Sequence, residues 1–221
     1  MRLLAIDTSL EACSVGVGRD GAPDVLISEV IGRGHAERLF GMIRSAMAEA
    51  GLAFADLDRI AVTVGPGSFT GLRVGIATAR GLALVVECPV VGIGTLAVHA
   101  ATARAMAGPH PVLALLDAHR GELYGQAFAA DGSAIGEPEI ADADVFAARV
   151  ALGMVLAGSG AELVAERLGS PVDVVHDRSS PDLAALMELA RSAADTGSPP
   201  RPLYLRAPDA RPQQGKEVAR Q

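Results

Sequence analysis

The chain has 221 residues, half of them hydrophobic, with 3% aromatic and no Trp, which is enough for one large or two small domains around an aliphatic core. Its 26 acids against 19 bases give a formal charge of −7, and Lys216 is the one Lys, which argues against unaided binding of nucleic acid. Cys13 and Cys88 stand alone without CxxC spacing, which speaks against a disulfide framework or a zinc knuckle and for a reducing cytoplasm.

Met1 to Ile6 reaches Asp7 too soon for a signal peptide, and the longest apolar run, Gly81 to Val98, is broken by Glu87 and Pro89. No membrane span is expected, and the expected location is the cytoplasm. Leu3 to Asp7 reads as a strand ending in Asp7-Thr8-Ser9. Cys13 to Val17 alternates up to an Asp20-Gly21 hairpin turn, and Val25 to Ile31 follows as a third strand. The chain then changes to a helix from His35 to Ala50, closed by Gly51. Leu39, Ile43, Ala46 and Ala50 form one apolar stripe on it, widened by Phe40, Met42 and Met47.

The next stretch, Val62-Thr-Val-Gly-Pro-Gly-Ser-Phe-Thr-Gly-Leu-Arg-Val-Gly75, organises the chain. A β-branched strand meets a Gly-Pro-Gly turn, and Thr70 is a plausible N-cap for a helix running to Glu87. Neither phosphate-loop template fits: no Lys follows Gly71, and Gly71 arrives one residue late for G-x-G-x-x-G. Gly71, Gly75 and Ala79 repeat at i, i+4, as do Ala77 and Gly81, so this helix can pack closely on two sides. Two long helices with surplus apolar or small surface suggest a docking face.

A strand (Val90 to Ile93) and a helix (Thr95 to Met106) lead to Gly108-Pro109-His110-Pro111, the best boundary in the chain. Beyond it the opening pattern returns. Leu3-Leu-Ala-Ile-Asp7 is echoed by Leu113-Ala-Leu-Leu-Asp117, each followed by an alternating strand and an Asp-Gly turn. Val62 to Gly67 is echoed by Leu156-Ala-Gly-Ser-Gly160. Two matched features in one order argue for a duplicated α/β fold. The expected units are a first lobe over 1–107, a second over 108–200 whose helix 181–195 can pack back on the first, and a tail over 201–221. Further helices are expected over Ala143–Val150 and Ala161–Leu168, and another with Pro181 at its first turn. The polar tail from Pro208 is expected to be mobile or ordered by a partner.

Two lobes that each open strand-Asp-turn-strand resemble the actin, hexokinase and sugar-kinase superfamily. Within it, Asp7-Thr-Ser-Leu-Glu-Ala-Cys-Ser-Val-Gly-Val, His35-Ala-Glu-Arg-Leu, Val64 to Gly75 and Pro202-Leu-Tyr-Leu-Arg206 resemble the bacterial TsaB-type (YeaZ-like) proteins. That resemblance implies a dimerisation subunit of the complex that makes threonylcarbamoyladenosine beside the tRNA anticodon. It implies pairing with a TsaD-type catalytic paralogue, with a TsaE-type ATPase and with itself, tRNA being met only indirectly. The helices implied as the handle place Ala36, Leu39, Phe40, Ile43, Met47, Phe69, Leu72, Arg73, Ile76, Ala77 and Arg80 at the partner interface.

The paralogue's metal rests partly on two His at i and i+4. Here Thr95 takes the first position and only His99 remains, a lone His of the kind usually capped or solvated. His35, His110, His119 and His176 have no paired spacing, and His35 is expected to order a helix start. No metal and no catalytic residue are expected, and no cofactor beyond an adenine nucleotide at a junction with partners. Ser68 does not fit the nucleophile elbow Gly-x-Ser-x-Gly. The superfamily places nucleotide or anion contacts at Asp7, Thr8, Ser9, Asp117, Gly158 and Gly160, although Thr8 to Glu11 lacks the usual Gly and adds an acid. For Asp7 and Asp117, side-chain bonds that shape a turn are the alternative. Two rival functions follow: a small-molecule kinase of the superfamily, and a glycoprotease-like metalloenzyme.

Overall fold

A computed structural model describes residues 1–206, so the tail from Pro208 lies outside the described residues. The first half holds β1 (Arg2–Asp7), β2 (Ala12–Arg19), β3 (Val25–Val30), α1 (His35–Glu49), β4 (Arg59–Gly65), α2 (Phe69–Val86), β5 (Val90–Gly94) and α3 (Thr95–Ala107). The second holds β6 (Val112–Asp117), β7 (Glu122–Phe128), β8 (Ala134–Asp142), α4 (Ala143–Ala147), β9 (Val155–Ala157), α5 (Ala161–Ala165), β10 (Val174–His176) and α6 (Leu183–Ser192).

The strands form two five-stranded sheets, ordered β3-β2-β1-β4-β5 and β10-β9-β6-β7-β8. Read from the opposite edge, the second order repeats the first. In each sheet the opening strand pairs antiparallel with its successor and parallel with the fourth strand. The duplication expected from the two Leu-rich, Asp-ended strands is thus present, and those strands, β1 and β6, are the central ones. Burial on both faces explains their unbroken apolar runs. Leu4 and Ile6 face α1 and α2, while Leu3 and Ala5 face the other way.

The helices do not stay with the half that encodes them. α3 covers one face of the second sheet, packing Leu96, Ala100 and Ala103 on Val112, Ala114 and Leu116. α6 returns to the first sheet, where Leu183, Leu186, Met187 and Ala190 meet Leu3, Ala5, Ala61, Val91 and Ile93. Arg59 holds its far end by donating from Nη1 to the carbonyls of Ala190 (2.8 Å) and Ala193 (2.7 Å).

Local ends differ from the sequence reading for identifiable reasons. The cap of α2 is Ser68, not Thr70: its Oγ accepts from Gly71 N (3.2 Å) while its own N–H is fixed on Ser9 O (2.6 Å). α6 starts after Asp182, whose Oδ1 accepts from Ala185 N, which leaves Pro181 outside the helix. α4 and α5 stop short because their last turns tighten to i→i+3 bonds, such as Val150 N to Ala147 O and Leu168 N to Ala165 O. β8 and β10 are strands with no counterpart in the sequence reading.

The small residues of α2 divide by face. Gly71, Gly75 and Ala79 are buried, whereas Ala77 and Gly81 are exposed. A Cβ on Gly71 would stand 2.0 Å from Thr8 O and one on Gly75 2.4 Å from Thr8 Oγ1, while one on Gly81 would meet nothing within 4 Å. Gly71→Ala should therefore cost about 1–3 kcal/mol by overpacking. Gly81→Ala should gain about 0.5–1 kcal/mol from helix propensity. Urea unfolding of both variants checks the contrast.

Candidate functional site

The loop after β1 is locked into the protein. Asp7 is 1% exposed, and its Oδ1 accepts from Ser9 N (3.0 Å), Ser9 Oγ (2.6 Å) and Thr63 Oγ1 (2.6 Å). Burial raises its pKa, and these hydrogen bonds oppose the rise; Oδ2 has no partner. Thr8 Oγ1 donates to Gly71 O (2.8 Å), and Thr8 and Ser9 are as buried as Asp7. A Cβ on Gly67 would stand 2.3 Å from Ser9 O, so the Gly-Pro-Gly segment approaches backbone, not an anion.

A cleft of about 440 Å³ lies between the lobes, with Leu10, Glu11, Ser68, Asp117, Tyr124 and Ser159 among its walls. Of the six residues expected to contact a nucleotide, only Asp117 lines it. Asp7, Thr8 and Ser9 are spent on the β1–α2 junction, and a Cβ on Gly158 would meet Leu115 O at 2.2 Å. Gly160 is packed similarly on Leu123 and Leu115. Asp117 shapes a turn, its Oδ1 accepting from His119 N (2.7 Å).

The expected interface residues also divide. Leu39, Ile43, Met47, Leu72 and Ile76 are core residues of the first lobe, 4% exposed or less, so they cannot meet a partner. The apolar stripe read from α1 is used up by the sheet and by α2. Ala36, Phe40, Arg73, Ala77 and Arg80 are exposed, and Phe69 is half-buried. Leu84 and Val85, each 81% exposed, belong to the same face of α2 and are absent from the interface expected from sequence. Their spacing from Ala77 and Gly81, one and two turns on, was the available signal. On α1, Phe40 (52% exposed) stacks with Phe54 at 6.5 Å between ring centroids. By length and composition α2 could cross a bilayer, but its Gly71 and Gly75 are seated on the loop after β1.

His99 is neither capped nor solvated. It is 1% exposed, and its ring lies 5.4 Å from that of His176 at the end of β10. His176 Nε2 is 3.2 Å from His99 O, while both ring nitrogens of His99, Nδ1 of His176 and the hydroxyls of Thr95 and Ser180 are buried without partners. This pairing across 77 residues left no trace in spacing. Two imidazoles fall short of a transition-metal set. Among the described residues no three His, Cys, Asp or Glu come together to hold a metal. His35 is buried with Nε2 3.2 Å from Ala12 O, which ties the start of α1 to β2.

Two sheets of matching order, each with its Asp-ended central strand, define a two-lobed protein of the actin and hexokinase architecture. A family model described as TsaD, tRNA N6-adenosine threonylcarbamoyltransferase, matches residues 26–167. The tRNA threonylcarbamoyladenosine biosynthesis protein TsaB of Escherichia coli is 40% identical over 143 residues, 65% of this chain and 62% of that protein. The chain thus matches under two thirds of that relative's length. A Mycobacterium tuberculosis protein whose name assigns no role is 37% identical over 95% of this chain and 94% of its own. The solved YeaZ from Pseudomonas aeruginosa superposes with a TM-score of 0.78 at 33% identity, covering 92% of this chain and 99% of that one. The chain belongs to this TsaD-described family and, within it, to the TsaB/YeaZ type.

Burial lowers the pKa of His99 to about 3, with the neighbouring His176 adding to the fall, and burial lowers that of His176 as well. An unfolded His titrates near 6.5, so the unfolded chain binds more protons and stability is lost as pH falls from about 6.5 towards 3. Between pH 7.5 and 5, His99 alone should cost about 2 kcal/mol. His99→Leu should remove that share of the slope, read from urea midpoints at the two pH values.

Proposed function

We propose that this chain is a non-catalytic subunit of a complex that forms threonylcarbamoyladenosine beside the tRNA anticodon in the cytoplasm. Its name-bearing relatives supply the pathway, and its own surface suggests the role. The observation that carries the reading is the outer face of α2, where Leu84 and Val85 stand 81% exposed in line with Ala77 and Gly81. Arg73 and Arg80 are exposed beside this stripe, and α1, which shares the buried cluster of α2 on the first sheet, exposes Phe40. A stripe of small and apolar side chains bordered by guanidinium groups suits another helix lying along α2, the small residues allowing close approach.

The partner of this face is a TsaD-type catalytic paralogue, with self-pairing through the same helices when the paralogue is absent. A TsaE-type ATPase joins that pair, and the paralogue supplies most of the charge for tRNA, which suits the −7 of this chain. The chain needs no cofactor of its own. An adenine nucleotide would be held only where a partner completes a site beside the cleft. The inward use of Asp7, Thr8, Ser9 and Gly158 favours this reading over a kinase that works alone.

Leu84→Glu combined with Val85→Glu should leave the fold intact, since both side chains already face water, with a stability change within ~0.5 kcal/mol. Co-purification with the paralogue should be lost, and threonylcarbamoyladenosine in cellular tRNA, read by nucleoside mass spectrometry, should collapse. Asp117→Ala should leave both intact. If instead Asp117→Ala stops modification while pairing persists, the scaffold role is wrong.

A further inference from the structure

The motif Pro202-Leu-Tyr-Leu-Arg206 lies outside the apolar stripe of α2, meets Phe69 and Arg73 at the start of that helix, and touches both lobes. Pro200, just before it, is buried where a Cβ on Gly92 of β5 would meet Pro200 Cβ at 3.1 Å. Leu203 N donates to Val64 O (2.7 Å) at the end of β4. Leu203 O lies 2.8 Å from where a Cβ on Gly65 would stand, so a side chain at Gly65 would push the segment away.

Tyr204 next packs on Phe69 with ring centroids 4.8 Å apart, and its hydroxyl accepts from Arg73 Nε (2.9 Å). The Arg73 guanidinium lies 3.7 Å from the Phe69 ring centroid, which makes a three-member cation–π stack at the start of α2. All of these contacts belong to the first lobe.

Arg206 then crosses to the second. Its Nη1 donates to Ala118 O (2.6 Å), its Nη2 approaches His119 O (3.4 Å), and Nη2 pairs with the Glu122 carboxylate. The side chain is only 22% exposed, so the pair is partly shielded from solvent screening. A planar guanidinium that spans two carbonyls and a carboxylate fixes geometry as a Lys could not. The loop it grips is unusual, because His119 and Arg120 take left-handed φ of 61° and 60° without being Gly. Such backbone persists where its surroundings hold it. Between the segment and this loop lies a cavity of about 210 Å³, with Pro66, Gly67 and Phe69 on the side of the first lobe.

We propose that residues 200–206 form a clasp that holds the two lobes at a fixed opening, anchored on β4 and α2 and latched by Arg206 on the loop between β6 and β7. Release of the latch opens the cleft beside Asp117. The contacts of the clasp all lie within this chain, although Arg73 serves both the clasp and the edge of the docking stripe.

Hydrogen exchange on the full chain, read by mass spectrometry, tests it. In Arg206→Ala, amides of 118–122 and of 67–69 should exchange roughly tenfold faster or more, while those of β1 and β6 keep their protection. Glu122→Gln, which removes only the charge of the latch partner, should give the same pattern more weakly. It also keeps the test decisive if Arg206→Ala misfolds. Arg201→Ala, an exposed neighbour outside the latch, should change neither loop. Faster exchange confined to 202–206, or none in either latch variant, would overturn the clasp.

Discussion

Everything in the first lobe depends on how closely the backbone at Thr8 and Ser9 approaches the start of α2. The carbonyls of these two residues lie where Cβ atoms on Gly71 and Gly67 would stand, at 2.0 and 2.3 Å, and the contact is sealed by Ser68 N on Ser9 O and Thr8 Oγ1 on Gly71 O. Backbone against backbone leaves no side chain free to adjust, so the geometry is set by absence of bulk. Asp7 completes the junction from below, gathering Ser9 and Thr63 on one buried oxygen. The loop after β1 is thus turned towards the protein itself.

That inward turn leaves the opposite side of α2 free. One row of small residues seats the helix, and the second row, with Leu84 and Val85, is left to water. The lobe therefore places its most exposed aliphatic side chains on an element that cannot shift without breaking the Thr8 contact. A rigid apolar stripe presents a partner with a surface that loses little order on binding. The second lobe lacks an equivalent: α5, the helix after its Gly-x-Gly turn, is five residues long.

Much of this was legible in the residues because it follows from pattern. The duplicated strands, the Asp-Gly turns and the helices from His35 and after Gly-Pro-Gly are all local signals, and the family resemblance rests on contiguous motifs. What escaped was set by tertiary contact. His176 meets His99 across 77 residues, and the cap of α2 is fixed by Ser9, far away in sequence. Exposure is the property least written into local pattern. An apolar stripe on α1 looks the same whether it awaits a partner or its own sheet, and so Leu39, Ile43 and Met47, expected at an interface, are core. Asp7 and Asp117 are alike in sequence and opposite in setting, since only β1 is followed by a loop pinned under a glycine helix.

The exchange of helices between halves has a consequence for synthesis on the ribosome. The face of the first sheet made by Leu3, Ala5, Ala61, Val91 and Ile93 is complete once β5 has been made, but the helix that shields most of it begins at Leu183. At translation speeds of ~5–20 residues per second, that greasy face waits on the order of ten seconds for its cover. The nascent chain thus cannot finish its first lobe before most of the second has emerged, and a chaperone that holds the growing chain would find its target on that bare sheet.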